Sequence, residues 1–553
     1  MIPGWLTLYL HTMRYLKPSQ IWFQLLRRLH RPRHRSGGAF SLRPGVAMLP
    51  ALDQAPRRGG AWHFTFLNVT RKFAEGKVDW RSAGESKLWR YNLHYFDYLN
   101  DDSRSLQTCT ALIDDWIAAN PAGTQDAWEP FPVSLRIVNW IKFFLGSGRQ
   151  QGTGQSRLRS LHDQALWLER NLELHILANH YFKNLVALAF AGAFFTGGDA
   201  ERWLAKGLKG LREQLEQQIL PDGMHFERSP MYHAMILADC LDLLNLSRSA
   251  PREFAPLSGQ LDAVCTRMMA ALFKASHPDG GMALFNDAAF GIEASPRQLA
   301  RYYRHLTGRE VPLPAPPLWQ LPDAGYYVMA PDPQARLIID CGAVGPDYQP
   351  GHAHCDTLSF ELSHRGRRMV VDSGCGGYPD GELRRYNRGN AGHNTLTLDA
   401  ANQSEVWGAH RVARRARPLG ASLERLEDGT LRFQGAHDGY RRLHGAPLHR
   451  RTVTWQGGVI AIEDEVTGGG SHHVELRLHL NPELQAAAAG GAVRVLDGET
   501  LLALVFPLRG GEIELTSGWY SPEFGLQLPC PLLVLHHPCV PLPFRCGWRI
   551  ELA

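Results

Sequence analysis

Residues 351–356, Gly-His-Ala-His-Cys-Asp, hold the side chains in this sequence best suited to chemistry. In an extended strand, side chains two positions apart leave the same face, so His352 and His354 project into one space. Downstream lie Asp372, in Val-Asp-Ser-Gly, and His393, in Gly-His-Asn. Two imidazoles and a carboxylate are ligands that Zn²⁺ prefers. We therefore predict one zinc ion held by His354, Asp372 and His393, with His352 beside it and free to move protons.

Two further segments place polar side chains where a cleft is expected. Asn179 and His180 stand at the turn between two helical stretches. Tyr232 and His233 follow Ser229, which suits the N-cap of a helix, so they fall in its first turn. The structural alternative, for these residues and for the histidines above, is helix capping or hydrogen bonding to the backbone. Taken together, the groups favour a functional site.

The composition is that of an ordinary globular protein, with 44% hydrophobic and 20% charged residues. Its 553 residues are too many for one core, so two or three domains are expected. The net charge of +5 is compatible with an anionic substrate. No stripe of basic residues with interleaved aromatic residues indicates nucleic acid. Nine cysteines occur without a CxxC pair, so a disulfide framework is not expected.

The pattern of apolar residues divides the chain into three parts. Residues 1–85 are typical of an irregular, partly helical preface. From 86 to 315, apolar residues recur at three- and four-residue spacing, which predicts helical hairpins that stack into a bundle or a closed toroid. Residues 316–553, after a proline-rich stretch, hold short runs of β-branched residues separated by turns, which predict an antiparallel β-sandwich. The predicted fold class is therefore a multidomain α+β chain.

The N-terminal region leaves the location of the protein open between cytoplasm and periplasm. Residues 2–10 are apolar, but no basic stretch precedes them and no small-residue cleavage site follows, so no signal peptide is predicted. No run is long enough to span a membrane. The basic segment 25–35 is compatible with peripheral contact with an anionic membrane surface, or with a solvated helix end. Nothing in the sequence indicates the oligomeric state.

The motifs together resemble those of the heparinase II/III and alginate lyase superfamily of polysaccharide lyases, and the resemblance covers nearly the whole chain from Trp89. The matching stretches are Asn-His at 179–180, Glu-x-Ser-Pro-x-Tyr-His at 227–233, Gly-His-x-His-x-Asp at 351–356, Val-Asp-Ser-Gly at 371–374, Tyr-Asn-Arg at 386–388 and His-Asn-Thr at 393–395. The resemblance implies an N-terminal (α/α) toroid, a C-terminal antiparallel β-sandwich and an active site between them. It also implies β-elimination from an anionic polysaccharide that contains uronic acid.

The resemblance further implies a catalytic role for five polar groups. Asn179 and His180 would bind and neutralise the uronate carboxylate, beside which a carbanion forms when the C5 proton leaves. His180 would also serve as a base for one C5 epimer. Tyr232 would act as acid, base or both, and His352 as the facing base or carboxylate partner. Tyr386 matches a further tyrosine implicated in alginate-lyase relatives.

By the same resemblance, the zinc ion at His354, Asp372 and His393 is structural and supports the neighbouring catalytic loops. Contacts with the substrate are expected from four more side chains: Trp128, Arg136, His233 and Arg388. Arginine suits this role because its guanidinium can grip a carboxylate with two hydrogen bonds. The sequence departs from some heparinase relatives at Lys183, where they carry a carboxylate. This departure weakens a prediction of heparin or heparan specificity.

The sequence leaves alternatives open for both the substrate and the reaction class. Residues 13–21, Met-Arg-Tyr-Leu-Lys-Pro-Ser-Gln-Ile, resemble relatives associated with bacterial exopolysaccharide or O-antigen production. One rival function is a zinc-dependent glycan hydrolase or deacetylase that activates water on the same metal. Another is a catalytically idle glycan-binding factor in polysaccharide assembly. A cupin-like barrel is disfavoured because Glu361 lies too far along the chain and the helical half has no place in it.

Overall fold

The computed structural model describes residues 4–29, 37–50, 60–101, 104–146, 149–311, 313 and 315–553. The part of the basic segment 25–35 that follows residue 29 lies outside these ranges. None of the helices within them combines the length and the hydropathy that a membrane span requires. Within these ranges a helical half comes first and a sheet half follows.

Helices form the first half because apolar residues there recur every three or four positions. The last of them ends at Thr307, and one short helix lies within the sheet half. The twelve helices of the described ranges are α1 (Gly4–Met13), α2 (Pro18–Leu29), α3 (Lys87–Tyr95), α4 (Leu106–Ala119), α5 (Pro130–Leu145), α6 (Gln155–Arg170), α7 (Ala178–Phe194), α8 (Gly198–Gln218), α9 (Pro230–Ser249), α10 (Ser258–Lys274), α11 (Pro296–Thr307) and α12 (Glu382–Arg388).

Strands form most of the second half, and four short strands occur earlier. The strands of the described ranges are β1 (Ser41–Leu42), β2 (His63–Phe66), β3 (Val69–Lys72), β4 (Phe195–Thr196), β5 (Leu318–Leu321), β6 (Tyr326–Asp332), β7 (Ala335–Asp340), β8 (Phe360–His364), β9 (Arg367–Val370), β10 (Leu396–Leu398), β11 (Val406–Trp407), β12 (Arg411–Val412), β13 (Pro418–Arg425), β14 (Leu431–His437), β15 (Leu448–Gln456), β16 (Val459–Thr467), β17 (Ser471–His479), β18 (Gln485–Ala489), β19 (Ala492–Asp497), β20 (Thr500–Leu508), β21 (Glu512–Tyr520), β22 (Leu528–Pro541) and β23 (Phe544–Leu552).

Helix α7 is the centre of the helical half, and its side chains are buried along almost its whole length. It packs against α5 and α8. Two glycines allow the close approach of α7 and α8. A Cβ on Gly192 would lie 2.5 Å from the Leu204 nitrogen, and one on Gly207 would lie 2.8 Å from the Ala189 nitrogen. This tight packing fixes the first turn of α7, where two of the predicted site residues stand.

Three larger antiparallel sheets and the two-stranded sheet β11-β12 make up the sheet half. The strand orders of the three larger sheets are β13-β14-β15-β16-β23-β20-β19-β18, β10-β17-β22-β21 and β5-β6-β7-β8-β9. Burial alternates along the long strands β16 and β17, so one face of each points inward. The inward residues of all three sheets share one core, which includes Phe433, Trp548, Leu478, Leu533 and Phe360. Sheets that pack face to face in this way form a sandwich.

Residues 275–292, between α10 and α11, leave the helical half and lie along the sheet half; we call them the crossing segment. The His277 imidazole donates to the buried Glu361 carboxylate over 2.7 Å. The Leu284 amide donates to the same carboxylate over 3.3 Å, and the Phe290 amide donates over 2.7 Å to a carbonyl just after β21. The Glu361 carboxylate of the sheet half therefore binds the crossing segment and helps to hold the two halves together.

Candidate active site

The first turn of α9 presents Tyr232 at the junction of the two halves. Ser229 caps this helix, because its hydroxyl oxygen accepts a hydrogen bond from the Tyr232 amide over 3.4 Å. The Ser229 hydroxyl in turn donates to the Asp287 carbonyl over 2.8 Å. Since Asp287 belongs to the crossing segment, the start of α9 is tied to the sheet half.

Tyr232 faces His352 across this junction. Their rings stack with centroids 3.8 Å apart and planes 15° apart. The Tyr232 hydroxyl also lies 2.5 Å from the hydroxyl of Tyr378, in the loop that follows Val-Asp-Ser-Gly. Only 6% of Tyr232 is exposed. Two phenols and an imidazole therefore meet at a point that is largely shielded from bulk water.

Glu227 joins two of the predicted site residues, one from each half. One of its carboxylate oxygens accepts from the Asn179 side-chain amide over 2.8 Å and from the Asn179 backbone amide over 3.2 Å. The other accepts from His352 Nδ1. Burial opposes the charge on Glu227, but the interactions with His352 and Asn179 outweigh it and lower its pKa from 4.5 to about 2. The ionised carboxylate therefore stabilises the fold above about pH 4.5, and this stabilisation is lost as the pH falls towards 2.

The Glu227 carboxylate decides which nitrogen of His352 carries the proton. An ionised carboxylate can only accept, so Nδ1 must donate to it, and in the neutral imidazole the lone pair then lies on Nε2. That lone pair makes His352 suited to take a proton from a substrate. Tyr232 is in the opposite state, because burial, with Asp287 as a further cause, raises the pKa of its phenol well above the ordinary value. Tyr232 therefore holds a proton that it can donate.

A second carboxylate holds His180 on the helical side. His180 Nδ1 donates to Glu173 over 3.0 Å, and the Asn184 side chain donates to Glu173 over 3.1 Å. Burial disfavours the charged imidazole, but Glu173 outweighs it and raises the pKa of His180. The His180 side chain keeps 27% exposure. This accessible imidazole, next to the Asn179 amide, can neutralise a bound carboxylate when it is protonated, which the raised pKa favours.

The backbone is strained beside these groups. Leu177 and Ala178, which precede Asn179, have φ of 67° and 49°, and Arg228, which follows Glu227, has φ of 57°. Residues with side chains rarely adopt such values, which cost on the order of 1–3 kcal/mol each. Strain of this kind collects at functional sites, where the surrounding structure enforces it. Here it aims the first turn of α7 and the Glu227 carboxylate at one another.

Asp287 links the stacked pair to a buried histidine. Its backbone amide donates to the His352 carbonyl over 2.9 Å. Its carboxylate accepts from His354 Nε2 over 2.8 Å and from Arg384 over 2.8 Å. Burial opposes the charge, but Arg384 and His354 outweigh it and hold the pKa of Asp287 well below its ordinary value. Asp287 thus positions the His352 loop and orients the His354 ring.

Three buried side chains could hold a metal ion here: His354, Asp356 and His393. One ligand atom of each lies within 4.8 Å of the other two. Among the described residues, His354 Nδ1 and His393 Nε2 are buried nitrogens without a hydrogen-bond partner. In the neutral ring each of these nitrogens carries the lone pair, because the other nitrogen donates to a carboxylate. Two imidazoles and one carboxylate fit zinc.

The geometry differs from the predicted ligand set at one position. The sequence predicts Asp372 as the carboxylate ligand, but an Asp372 oxygen accepts from His393 Nδ1 over 2.8 Å. Asp356, two residues after His354, is the carboxylate whose oxygen lies within 4.8 Å of a ring nitrogen of both His354 and His393. A carboxylate on the far nitrogen of a metal-binding imidazole orients that ring. Asp372 is therefore placed to support His393 rather than to bind the ion.

Two predicted substrate contacts lie in the core of the helical half instead. Trp128 is 6% exposed and packs edge-on against Trp167 with ring centroids 5.6 Å apart. Arg136 is fully buried, and its guanidinium lies 3.9 Å from the Trp116 ring centre and donates to Gln164 over 2.7 Å. Packing occupies both side chains, so neither is placed to reach a substrate.

His233 and Arg388 also serve the fold. His233 is buried in α9, where it accepts from the His225 amide over 3.0 Å and donates to the Met268 carbonyl over 2.9 Å. Arg388 is 1% exposed and donates to three backbone carbonyls, those of Ala353, Gly408 and Arg411. Both side chains are buried and form their hydrogen bonds with backbone groups. Neither is therefore placed to contact a substrate as the sequence predicts.

Tyr386 lies on the other side of α12 from the stacked pair. Its hydroxyl donates to His479 Nε2 over 2.8 Å and accepts from the Trp519 amide over 3.2 Å. Arg384, two residues earlier, is the residue of α12 that reaches Asp287. Residues two apart on a helix do not face the same way. Tyr386 is therefore not close to Tyr232 and His352 as predicted. The second phenol at that point is that of Tyr378, in the loop before α12.

Besides Asp356, four residues of the cluster are not singled out by the sequence: Glu173, Glu227, Asp287 and Tyr378. Glu227 stands within the quoted Glu-x-Ser-Pro motif, and an acid next to a helix cap was a usable signal. Tyr378 stands in a Gly-Gly-Tyr-Pro loop after Val-Asp-Ser-Gly. A single tyrosine in such a loop is a weaker signal of function. Glu173 and Asp287 lie in segments without a motif, and only the tertiary fold brings them to the site.

Two family models match most of the chain. The model described as Heparinase II/III N-terminus matches residues 62–308, and the one described as Heparinase II/III-like, C-terminal matches residues 313–538. A heparin-sulfate lyase from Pedobacter heparinus is 27% identical over 322 residues, 52% of this chain and 47% of that one. FtsZ-localized protein C from Caulobacter vibrioides is 25% identical over 457 residues, 75% of this chain and 73% of that one. The chain spans about half the length of the heparin-sulfate lyases first named among its relatives.

The solved structure of heparinase III has the same fold. It matches with a TM-score of 0.70 at 19% identity, over 87% of this chain and 80% of that one. The predicted order of an (α/α) toroid followed by an antiparallel β-sandwich is confirmed. Because the two family models together take in residues 62–308 and 313–538, the chain belongs to the heparinase II/III family.

Proposed function

We propose that this protein is a polysaccharide lyase that cleaves an anionic polysaccharide beside a uronic acid by β-elimination. The observation that carries the proposal is the stacked pair of Tyr232 and His352, with ring centroids 3.8 Å apart: a phenol that holds its proton faces an imidazole whose Nδ1 is bound to a carboxylate. Asn179 and His180 add an amide and a cationic imidazole nearby. The names of the heparin-sulfate lyase relatives support the same reaction class.

In the proposed reaction, the substrate carboxylate binds to Asn179 and His180. Their hydrogen bonds and charge make the C5 proton more acidic, because they stabilise the negative charge that spreads onto the carboxylate. His352 Nε2 takes this proton. The C4–O bond breaks as the C4–C5 double bond forms, and Tyr232 gives its proton to the departing glycosidic oxygen. The resting state returns when the proton on His352 passes to the Tyr232 phenolate stacked against it.

We propose that a zinc ion at His354, Asp356 and His393 holds this arrangement in place. A zinc ion with three protein ligands can polarise water or a carbonyl, but β-elimination consumes no water. The Asp287 link supports a structural role: its carboxylate orients His354, and its amide holds the His352 carbonyl. The three ligands would therefore keep the His352 loop fixed against the start of α9.

The purified protein is expected to carry about one zinc ion per chain by elemental analysis, as a site with three protein ligands requires. Asp356→Ala should lose the ion, because it removes a ligand. Asp372→Ala should weaken binding by about 10- to 100-fold, the usual cost of losing the carboxylate behind a ligating imidazole. Chelation should lower the Tm of the wild type and leave that of Asp356→Ala unchanged. If Asp372→Ala loses the metal and Asp356→Ala keeps it, the ligand set is the one that the sequence predicts.

A product assay tests the lyase proposal. Elimination leaves a double bond conjugated to the uronate carboxylate, which absorbs ultraviolet light, whereas hydrolysis or deacetylation leaves none. The polymers to be compared are alginate, heparan sulfate, hyaluronan, chondroitin, polyglucuronate and a bacterial exopolysaccharide. New reducing ends or released acetate without the absorbance would favour the zinc-dependent hydrolase or deacetylase.

We further propose a bacterial exopolysaccharide or O-antigen as the natural substrate. Lys183 replaces the carboxylate of some heparin-acting relatives, and it forms a buried ion pair with Asp239 over 2.8 Å. The charge of Lys183 is therefore neutralised inside the helical half. Lys183 does not supply the carboxylate that those relatives carry at this position. In the product assay we expect the bacterial polymer to be cleaved faster than heparan sulfate, and the reverse order would contradict this substrate.

A second candidate is a non-catalytic glycan-binding factor in polysaccharide assembly. One observation favours it: a relative that aligns over 75% of this chain is named for its localisation with FtsZ and not for lyase activity. Under this candidate the protein binds a polymer of the panel, but no double bond forms. The ultraviolet assay combined with a binding measurement therefore separates the two functions.

We also propose that the outer face of α1 and α2 rests on an anionic membrane surface. Trp5 and Trp22 are 62% and 60% exposed, and Arg27 and Arg28 stand in the last turn of α2. Exposed aromatic rings beside arginines suit a membrane interface. We expect co-sedimentation with anionic but not neutral vesicles, and Trp22→Ser should weaken it about tenfold, as the loss of one buried apolar side chain does. Trp519→Ser, 41% exposed in the sheet half, is the control; equal behaviour of both variants would contradict the contact.

A further inference from the structure

Helices α1 and α2 form an N-terminal hairpin that lies across the junction of the two halves. Its first helix contacts the sheet half. Tyr9 packs edge-on against Trp407 with ring centroids 4.7 Å apart, and the Trp407 indole donates to the Thr12 hydroxyl over 3.1 Å. The Arg415 guanidinium lies 3.9 Å from the ring centre of Tyr15, just after α1. These contacts anchor the hairpin to the loops around β11 and β12.

The second helix of the hairpin contacts both halves at once. Gln20 is 2% exposed, and its side-chain nitrogen donates to the carbonyls of Ile176 over 3.4 Å and Tyr348 over 3.2 Å. Ile176 belongs to the helical half and Tyr348 to the sheet half. Nearer the end of α2, Arg27 forms a hydrogen bond with the His175 imidazole. A buried glutamine that binds one carbonyl from each half fixes their separation.

The contact points of the hairpin stand beside the candidate active site. Ile176 precedes Asn179 by three residues, and Tyr348 precedes His352 by four. The Tyr348 ring centroid lies 6.2 Å from that of Phe226, which comes immediately before the buried carboxylate of the site. The hairpin therefore covers the edge of the cleft at which both loops carrying the polar groups arrive.

We propose that the N-terminal hairpin closes one end of the cleft, so that the protein degrades its substrate from a chain end. The inference rests on the lyase function proposed above and adds the mode of attack. Cleavage inside a polymer requires a groove that is open at both ends, because the chain must enter and leave. Here the hairpin bridges one edge, and Tyr232 is only 6% exposed. A terminal sugar can reach such a site, and an internal one is blocked.

Loosening the hairpin tests this mode of attack. Gln20→Ala removes both carbonyl contacts, and Tyr9→Ala removes the packing on Trp407, so the double variant frees the hairpin without changing any residue of the active site. Gln24→Ala is the matched control, because Gln24 is exposed on the same helix. Circular dichroism and thermal unfolding check that each variant is folded. If the double variant does not fold, Gln20→Ala alone is used.

Viscosity followed together with ultraviolet absorbance reports where the polymer is cut. The wild type and the Gln24→Ala control are expected to keep the viscosity high while double bonds accumulate, and to release products of one size from the start. The loosened variant is expected to lose viscosity several-fold faster per double bond and to release products of mixed size. Mixed products from the wild type, or identical curves for wild type and loosened variant, overturn the proposal.

A binding measurement separates this inference from the lyase function. Calorimetric titration with size-fractionated alginate, heparan sulfate and polyglucuronate counts the protein molecules bound per polymer chain. A closed-end site binds one protein per chain at every length, whereas the loosened variant binds in proportion to length. If no double bond forms with any polymer, the lyase proposal fails, and this stoichiometry still decides on the hairpin. A wild-type stoichiometry that rises with length, or no binding to any fraction, overturns the closed end.

Discussion

Replacing Tyr232 by Phe is expected to lower kcat by about 10³-fold, within the range that a general acid contributes. The phenylalanine ring keeps the stacking on His352, whose centroid lies 3.8 Å away, but it has no proton for the departing glycosidic oxygen. KM should change little, because Asn179 and His180 still bind the carboxylate. The rate of double-bond formation, followed by ultraviolet absorbance, measures the loss.

Tyr327→Phe is the matched control for this change. Tyr327 is also 6% exposed, but it packs on Phe433 in the core of the sheet half. Its variant should keep the full rate, and both variants should unfold within a few degrees of the wild type. A Tyr232→Phe variant that still eliminates at the wild-type rate would remove the proposed acid. If the wild type and the Tyr232→Phe variant bind glycan equally well and neither forms double bonds, the non-catalytic factor is favoured.

Replacing Glu227 by Gln is expected to lower kcat by about 10²-fold, at the low end of the general-base range because the imidazole itself remains. Glu227 is a positioning residue: its carboxylate fixes the proton of His352 on Nδ1 and holds Asn179. A neutral amide can donate as well as accept, so it no longer excludes the other tautomer. Nitrogen NMR of His352 should show Nδ1–H in the wild type and a mixture in the variant, and Glu227→Asp should restore part of the rate.

Glu293→Gln is the control for the loss of a partly buried carboxyl outside the site. Burial raises the pKa of Glu293 to about 7, so this group is only about half charged near neutral pH. The Glu227→Gln variant should also lose less stability than the wild type between pH 4.5 and 2, because it lacks the carboxylate that becomes protonated there. A full rate with a mixed tautomer would show that the proton position on His352 does not limit turnover.

The sequence predicts the catalytic pair because motif and helix signals coincide at both residues. Ser229 and a following proline mark the start of α9, which places Tyr232 in its first turn, and the His-x-His spacing gives His352 and His354 a shared direction. The change from helical to alternating periodicity predicts the two halves in the same way. Local patterns therefore suffice where a residue's position depends on its own element.

Local patterns fail where position depends on distant contacts. Arg136 lies on a helix face that looks the same in sequence whether it meets a cleft or a core, and only the packing on Trp116 decides. Asp356 and Asp372 are equally good carboxylates by type, and the fold alone determines that Asp372 binds His393 Nδ1 while Asp356 groups with both imidazoles. Asp287 belongs to a stretch without periodicity, so nothing local marks it as the link between the halves.

The crossing segment makes the two halves hard to separate in engineering. It is encoded between α10 and α11, yet its Asp287 serves His352, His354 and Arg384, which are encoded after β7. Exchanging the halves of two relatives at residues 308–317 would bring together an aspartate and partners that have not been selected for each other. Chimeras joined there should be poorly active even when each parent is active, so engineering of this fold needs changes that keep the Asp287 contacts of both halves together.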